Sequence, residues 1–264
     1  MRELFERLAL AAGRRIMEVF HGHATVEHKA DASPVTEADR DSERIILAGL
    51  RAAFPQMPCV AEEESAGGIV PTSLGDAFFL VDPLDGTKEF VNRRTDFTVN
   101  IALVRRGVPE VGVVFAPCSR RFFSAEPHLA EQLTVDEDFT ITARRRIHVR
   151  EAVAPMAVVA SRSHLNAETE AFIHRLKAAE IVSVGSSLKF CLLAAGEADL
   201  YPRFGPTMEW DTAAGDAVLR AAGGLTLAPG GRPLGYGKRG RSGVADFLNP
   251  SFVAIGRVEA VPAF

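Results

Sequence analysis

The apolar positions of the first 54 residues recur mostly at intervals of three and four, which predicts two amphipathic helices. The first covers residues 4–20, and the second runs from Thr36 to about Phe54, where Pro55 ends it. We interpret residues 32–35 as a break between these helices. The same spacing predicts later helices over residues 167–177, 188–195 and 211–222.

Short, continuous apolar runs elsewhere predict buried strands. These runs are residues 58–61, 78–81, 157–160 and 225–227. We expect the second of them to end at Asp82-Pro83. Residues 97–105 and 110–115 flank Arg106-Gly107 and predict a β-hairpin. Alternating helices and strands indicate an α/β or mixed α+β architecture.

The composition is typical of an ordinary globular protein, and the net charge indicates a small-molecule partner. The chain has 264 residues, of which 47% are hydrophobic and 24% charged, and its formal net charge is −4. We expect a single domain, 1–264, with subdomains 1–148 and 149–264 that meet near the three arginines at 144–146. The negative charge supplies no basic field for nucleic acid or acidic membranes. Nothing in the composition indicates an oligomeric state.

Targeting signals and cysteine chemistry add little. No segment reaches the roughly 20 apolar residues of a membrane span. We expect no signal peptide, because the longest apolar run of the charged N-terminus, residues 8–12, is too short for its core. We expect a cytoplasmic location and leave open a peripheral association at the inner face of a membrane. The three cysteines at 59, 118 and 191 form no CxxC pair and are expected to be free thiols.

The most informative stretch is Asp-Pro-Leu-Asp-Gly-Thr at residues 82–87. Asp82 and Asp85 lie three residues apart directly after a predicted strand, where α/β proteins favour ligand sites. Gly86 lets the backbone approach a ligand closely, and Thr87 is placed to open a short helix. Carboxylate oxygens on a tight loop suit Mg²⁺. Taken alone, the six residues fit an Asp- and Gly-rich turn equally well.

Further acidic positions favour the metal interpretation. Residues 62–64 are three glutamates that follow a short apolar strand, and we take Glu62 as the first-choice ligand and Glu63 as the second. Asp39 and Asp211 each have an alternative role at a helix N-terminus. Clustered carboxylates would repel a phosphate unless divalent cations reverse the local charge. The set therefore indicates a site that binds metal if it binds phosphate at all.

The second half of the chain offers polar groups for the rest of a substrate. The run Gly-Ser-Ser-Leu-Lys at 185–189 predicts a helix start with free N–H groups. Such a start is more often only a cap, and each candidate is weak when taken singly. The candidates are His164, Ser186, Lys189 and Arg203. We expect the histidines at 21, 23 and 28 to be solvated.

Three motifs, in chain order, resemble the signatures of the inositol monophosphatase superfamily of lithium-sensitive, magnesium-dependent phosphatases. They are the strand ending in Glu-Glu at 59–63, the loop at 82–87 and the Trp-Asp pair at 210–211. Longer stretches are similar to its CysQ-type 3′(2′),5′-bisphosphate nucleotidase branch. These are KADASPVTEAD (29–39), LVDPLDGTKEF (80–90), GSSLKF (185–190) and LYPRFGPTMEWDTAAG (200–215). The resemblance covers roughly residues 1–250, and one departure is Ala61, where serine is common.

The resemblance implies a layered α-β-α-β-α sandwich of the sugar-phosphatase type. It also implies a function in sulfur metabolism, the hydrolysis of the 3′-phosphate of 3′-phosphoadenosine 5′-phosphate to AMP and phosphate. The cofactor would be two or three Mg²⁺ ions, and a metal-activated water would attack. Carried over by position, the metal ligands are Glu62, Asp82, Asp85, Asp211 and the carbonyl of Leu84. The catalytic residues are Asp39, Glu62 and Thr87. The substrate contacts are Leu84, Asp85, Gly86, Thr87, His164, Ser186, Lys189 and Arg203.

The sequence is also compatible with three alternatives. The first is an inositol or sugar monophosphatase of the same fold. The second is a haloacid-dehalogenase phosphatase, although its DxDGT loop is one residue shorter than the DxxDGT found here, which moves the first Asp off the nucleophile position. The third is a non-catalytic metabolite-binding protein that kept the pocket.

Overall fold

A computed structural model describes residues 1–22, 25–29, 32–161, 166–176, 180–258 and 262–264 of the chain. The helices among them are α1 (Arg2–His21), α2 (Glu37–Ala53), α3 (Glu62–Ala66), α4 (Thr87–Val91), α5 (Ala167–Arg175), α6 (Leu188–Ala194) and α7 (Ala213–Ala221). The first nine strands are β1 (Val26–His28), β2 (Pro34–Thr36), β3 (Cys59–Ala61), β4 (Ala77–Asp85), β5 (Thr98–Arg105), β6 (Val108–Ala116), β7 (Arg121–Glu126), β8 (Leu129–Val135) and β9 (Ile141–Arg146). The remaining strands are β10 (Ala157–Ser161), β11 (Glu180–Val184), β12 (Leu200–Arg203), β13 (Leu225–Ala228), β14 (Arg232–Pro233) and β15 (Phe252–Ile255).

The two large sheets divide the chain in sequence order. One sheet runs β3-β4-β5-β6-β7-β8-β9, with β3 and β4 parallel and the other neighbours antiparallel. The other has the order β11-β10-β12-β15-β13-β14. The expected boundary at 148/149 falls between β9 and β10, although a division into two subdomains stays a prediction. A short ladder joins β1 to β2.

The buried apolar side chains arrange these elements in five layers. Phe79 and Val81 of β4 pack with residues of α1 and α2 on one face of the first sheet. Phe78 and Leu80 point the other way, into a core shared with α6, α7 and the second sheet. A smaller cluster joins α5 to the far face of that sheet. Because both faces of β4 are covered, its sequence is a continuous apolar run rather than an alternating one. The predicted α-β-α-β-α order is confirmed.

Most predicted elements are present, but several bounds were wrong. The expected break at residues 32–35 is partly strand, because Pro34–Thr36 pairs with β1. The last predicted helix begins at Ala213, so Asp211 lies in the turn that precedes it. The helix expected over 167–177 is described to Arg175, and Lys177 lies outside the described residues. The strands β1, β2, β7, β8, β9, β11, β12, β14 and β15 were not predicted.

The three cysteines, Cys59, Cys118 and Cys191, are free thiols, as predicted. Among the helices that the structure describes, none has both the length and the continuous apolar character that a membrane crossing requires.

Candidate active site

One cavity of about 650 Å³ brings together almost all of the predicted site residues. It lies where the end of β4 meets the start of α6, the end of β12 and the turn before α7. The predicted residues that line it are Glu62, Asp82, Leu84, Asp85, Gly86, Thr87, Ser186, Lys189, Arg203 and Asp211. Asp39 stands behind this lining, in contact with Thr87. His164 lies outside the described residues.

A β-bulge explains how two aspartates three residues apart reach the same cavity. In a regular strand, residues at that spacing point to opposite faces. Here Asp82 pairs with Asn100 and Asp85 with Thr98, so β4 carries one more residue than β5 between these pairs. A bulge of this kind redirects the strand, and it also accommodates Pro83, which cannot donate to a ladder. The expectation that the strand ends at Asp82-Pro83 was therefore wrong, since β4 continues through the bulge to Asp85.

The turn after the bulge depends on Gly86. Its φ of +98° lies in the left-handed region, and a Cβ there would come within 3.0 Å of the Asp96 carbonyl oxygen. Gly86 caps α4, which opens at Thr87 as predicted. The Thr87 hydroxyl donates to Asp39 Oδ1 at 2.8 Å and lies 3.2 Å from the Leu84 carbonyl oxygen. The predicted Thr87–Asp39 pair is thus present as a hydrogen bond.

Asp39 also has the capping role that the sequence offered as its alternative. Its Oδ2 accepts hydrogen bonds from the Thr36 N–H at 2.8 Å and from the Thr36 hydroxyl at 2.7 Å. The capping box of α2 is therefore complete. Burial raises the pKa of Asp39, and the hydrogen bonds from Thr36 and Thr87 oppose that effect. One buried carboxylate thus fixes both the start of α2 and the Thr87 hydroxyl.

Lys29 forms ion pairs with both candidate metal ligands, Glu62 and Glu63. Its Nζ lies 2.6 Å from Glu62 Oε1 and 2.6 Å from Glu63 Oε1. Burial alone would lower the pKa of Lys29, but the two carboxylates raise it above its ordinary value. Of the two, only Glu62 lines the cavity, while Glu63 lies beside it. This geometry favours Glu62 over Glu63.

The acidic end of the cavity is electrostatically strained without a cation. Burial raises the pKa of Asp85 to about 6, with Lys189 opposing the effect. Burial, and then repulsion from Glu62 and Asp85, raises the pKa of Asp82 well above its ordinary value. Asp211 behaves in the same way, although its Oδ2 accepts a hydrogen bond from the Met208 N–H at 2.7 Å. A bound divalent cation would relieve this repulsion.

This donor set fits a hard metal ion. Every candidate ligand is an oxygen, as Mg²⁺ prefers. Within the described ranges, no three His, Cys, Asp or Glu side chains already form a closed metal cage. The Glu62 carboxylate accepts a hydrogen bond from the Lys29 ammonium at 2.6 Å. Metal binding at Glu62 would therefore replace an ammonium partner.

The same cavity also has a cationic part, lined by Lys189 and Arg203, which we call its cationic end. Lys189 is buried beside Tyr201, with its Nζ 5.3 Å from the ring centre, and donates to the Ser186 carbonyl oxygen. Arg203 is also buried and donates through Nη2 to the Pro206 carbonyl oxygen at 2.9 Å. Among the described residues, the Ser186 hydroxyl and Arg203 Nε are buried without a hydrogen-bond partner. Both atoms are therefore available to bond to a ligand in the cavity.

Burial and the neighbouring Arg203 charge lower the pKa of Lys189 to about 8, although Asp85 opposes the shift. The lysine remains largely charged at neutral pH. An anion placed between Lys189 and Arg203 would stabilise both cations, whereas an uncharged polyol would not. The cavity therefore has one end suited to metal and a second end suited to an anion.

The two ends are joined by a hydrogen-bonded link that the sequence did not reveal. The Ser187 hydroxyl donates to Asn100 Oδ1 and also lies 2.9 Å from the Thr98 hydroxyl. Both partners are on β5, opposite Asp82 and Asp85 of β4. The Ser187 N–H also bonds to the Asp85 carboxylate. The start of α6 is thus set directly against the acidic end.

Known proteins match this chain over nearly its whole length. A model of the inositol monophosphatase family matches residues 1–253. The 3′(2′),5′-bisphosphate nucleotidase CysQ of Escherichia coli (strain K12) is 46% identical over 248 residues, which are 93% of this chain and 96% of that protein. The CysQ of Buchnera aphidicola is 40% identical over 250 residues, covering 94% of this chain and 91% of that protein.

Solved structures agree with the sequence comparisons. The crystal structure of CysQ from Bacteroides thetaiotaomicron has a TM-score of 0.77 at 38% identity and covers 96% of this chain and 95% of its own. An IMPase from Thermotoga maritima has a TM-score of 0.76 at 26% identity, covering 97% of this chain and 91% of that one. These matches decide against the haloacid-dehalogenase alternative. By its motifs, its layer order and its relatives, this chain belongs to the inositol monophosphatase family.

Proposed function

We propose that this protein is a magnesium-dependent phosphatase that hydrolyses the 3′-phosphate of 3′-phosphoadenosine 5′-phosphate to AMP and phosphate. The observation that carries the proposal is a single cavity lined both by four carboxylates and by two cations, Lys189 and Arg203. A substrate with two separate phosphates matches both ends, whereas an inositol monophosphate would leave the cationic end without a partner. The names of the CysQ relatives support the same substrate.

The acidic end would hold two or three Mg²⁺ ions. Their ligands would be Glu62, Asp82, Asp85, Asp211 and the carbonyl oxygen of Leu84. Magnesium would supply Lewis-acid stabilisation of the phosphoryl group and a lowered pKa for the attacking water. The raised pKa values of Asp82 and Asp211 support this assignment, because a nearby cation would keep both carboxylates ionised.

The Thr87–Asp39 pair would handle the proton of the attacking water. Because the Thr87 hydroxyl donates to Asp39, its oxygen lone pairs are free to accept a hydrogen bond from a water in the cavity. Asp39 is buried and its pKa is raised, so it can take up a proton relayed through Thr87. Glu62, at the same end, would orient that water. Gly86 and Thr87 would contact the phosphoryl oxygens.

The cationic end would hold the 5′-phosphate and the nucleoside. Lys189 and Arg203 supply the charge, and the Ser186 hydroxyl and Arg203 Nε supply hydrogen-bonding atoms that lack partners among the described residues. Charge-assisted bonds from two cations to one phosphate are stronger than neutral ones. His164 remains a proposed substrate contact on the strength of the sequence alone.

The test is product analysis with the purified protein. The proposal predicts that 3′-phosphoadenosine 5′-phosphate is converted to AMP and inorganic phosphate in the presence of Mg²⁺, and that a chelator stops the reaction. Detection of 3′-AMP instead would show that the 5′-phosphate is the one removed. The absence of turnover with any phosphoester, together with metal binding, would favour the non-catalytic alternative.

Replacing Lys189 by methionine should weaken nucleotide binding without stopping the chemistry. Methionine fills much of the buried volume but removes the charge. A lost charge-assisted hydrogen bond corresponds to about 1.5–3 kcal/mol, or a KM increase of roughly 10- to 150-fold. We expect kcat at saturation to change far less. Steady-state kinetics with 3′-phosphoadenosine 5′-phosphate and with inositol 1-phosphate measure the effect.

Lys88→Met is the matched control for Lys189→Met. Lys88 is an exposed lysine on the rim of the same cavity, so this variant removes the same charge away from the proposed 5′-phosphate position. Its KM should remain within about twofold of the wild type, as is usual for an exposed charge in water. Equal KM increases in the two variants, or equal losses on both substrates in Lys189→Met, would contradict a 5′-phosphate site at Lys189.

A further inference from the structure

A buried carboxylate outside the cavity fixes the helix that carries the glutamates. Glu43 lies on α2 and is 5% exposed. Its Oε2 accepts the Glu63 N–H at 2.8 Å, and its Oε1 accepts the Glu64 N–H at 2.9 Å. These N–H groups belong to the first turn of α3, where a helix has no internal acceptors. Glu43 therefore caps α3 from another helix.

The cap is needed because α3 cannot cap itself. The residue before it, Ala61, has no side-chain acceptor, and α3 has no side-chain cap from its own N-cap position. With only five residues, α3 is too short to be stable without tertiary contacts. Lys29 and Arg51 hold the glutamate side chains, Arg51 through two bonds to Glu64 of 2.8 and 2.7 Å. Glu43 fixes the backbone on which those side chains are carried.

The same face of α2 also fixes the aspartate loop. Asp39 and Glu43 are four residues apart and therefore neighbours on the helix surface. Asp39 accepts a hydrogen bond from the hydroxyl of Thr87, the residue that opens α4 just after the β4 bulge. One rigid helix thus sets the position of α3 with Glu62 and the position of the loop with Asp85. The distance between those two proposed ligands depends on both contacts.

We infer that Glu43 is a positioning residue for the metal site, which holds Glu62 in register with Asp82 and Asp85 through its bonds to the backbone of α3. The inference rests on the proposed function in one respect, that Glu62 is a metal ligand. Glu43 does not line the cavity and touches neither metal nor substrate in this role. Residues that orient metal ligands from outside typically change metal affinity 10- to 100-fold when they are replaced.

The test is Mn²⁺ binding to the nucleotide-free protein, measured by electron paramagnetic resonance of free Mn²⁺. Glu43→Gln keeps the shape but turns an N–H donor towards a backbone N–H, so Mn²⁺ should bind at least about tenfold more weakly. KM for the nucleotide at saturating Mg²⁺ should stay within about twofold, because the cationic end is unchanged. Glu43→Asp keeps both acceptor oxygens and should recover part of the affinity. It also carries the test if Glu43→Gln does not fold.

Glu6→Gln is the matched control for a purely structural loss. Glu6 is equally buried, on α1, and pairs with the Ser124 hydroxyl at 2.6 Å and Arg144 Nη2 at 2.6 Å, far from α3 in sequence. Its replacement should lower the melting temperature and leave Mn²⁺ affinity unchanged. If Glu43→Gln and Glu43→Asp also lose only thermal stability, the positioning role is overturned. Failure of the proposed function would appear separately, as wild-type protein that binds Mn²⁺ but hydrolyses no bisphosphate nucleotide.

Discussion

Replacing Asp85 by asparagine is expected to abolish phosphate release while leaving the fold intact. Asp85 lies at the end of the β4 bulge, between the acidic end of the cavity and the start of α6. Asparagine retains the shape and can still accept the Ser187 N–H, but it is a much poorer ligand for Mg²⁺. The loss of several kcal/mol of transition-state stabilisation corresponds to a fall in kcat on the order of 10³-fold.

The stability of Asp85→Asn shows whether Asp85 is a metal ligand or a carboxylate that stabilises the fold. Burial raises the pKa of Asp85 to about 6, so its ionisation at neutral pH lowers the folding stability of the metal-free protein. The melting temperature of the variant in a chelator should therefore equal or exceed that of the wild type. Mg²⁺ should raise the melting temperature of the variant less than that of the wild type.

Asp199→Asn provides the opposite pattern as a control. Asp199 is buried, accepts the Ala157 N–H at 2.7 Å and pairs with Arg150 at 2.7 Å, and these contacts hold its pKa below the ordinary value despite burial. This variant should lose stability at neutral pH and keep its kcat. If Asp85→Asn retained turnover, or if both variants lost stability equally, Asp85 would not be a metal ligand.

The metal-free protein is expected to lose stability as the pH rises from about 4 to 7, and Mg²⁺ is expected to restore it. Burial raises the pKa of Asp85 to about 6 and those of Glu43 and Glu63 to about 7. A carboxyl group whose folded pKa is raised contributes stability that is complete below its unfolded pKa. That contribution is lost as the pH passes through the folded pKa.

Thermal unfolding at several pH values, with chelator and with Mg²⁺, measures this effect. Mg²⁺ at 100 times its dissociation constant should stabilise the protein by about 2.7 kcal/mol, which corresponds to roughly 5–10 °C for a chain of this size. The shift should grow with pH, because protons compete with the metal for the carboxylates. A melting temperature that rises with pH in chelator over this window, or no Mg²⁺ shift near its upper end, would contradict the metal site.

The sequence predicted most helices, because their apolar faces pack on one sheet and keep a regular spacing. The α1 and α2 periodicities have this origin. The β4 bulge was not predicted, since the extra residue is defined by pairing with β5 and not by β4 alone. The strands β7 to β9 were not predicted because charged and polar residues interrupt their apolar positions. These strands are defined instead by their pairing and by contacts such as Arg144 with Glu6. The β4 bulge and the strands β7 to β9 therefore depend on pairing between strands, which the sequence of one strand does not show.

The candidate site was predicted more completely than the fold, because its residues stand in contiguous motifs. Ten of the predicted residues line one cavity. Two further residues near the site, Lys29 and Glu43, were not predicted, because each is defined by its contacts with other residues. Lys29 is recognised only by its contacts with Glu62 and Glu63, and Glu43 only by its bonds to the backbone of α3. Glu43 had one sequence signal, its position four residues after Asp39 on the same helix face.

The measurement that tests the central claim most directly is the ratio of kcat/KM for 3′-phosphoadenosine 5′-phosphate to that for inositol 1-phosphate, at fixed Mg²⁺, with and without Li⁺. A cavity that holds two cations in addition to its carboxylates predicts a strong preference for the nucleotide, on the order of 10²-fold or more if Lys189 and Arg203 each contribute a charge-assisted bond. Lithium should inhibit both reactions. A preference for inositol 1-phosphate would contradict the substrate assignment while leaving the metal site in place.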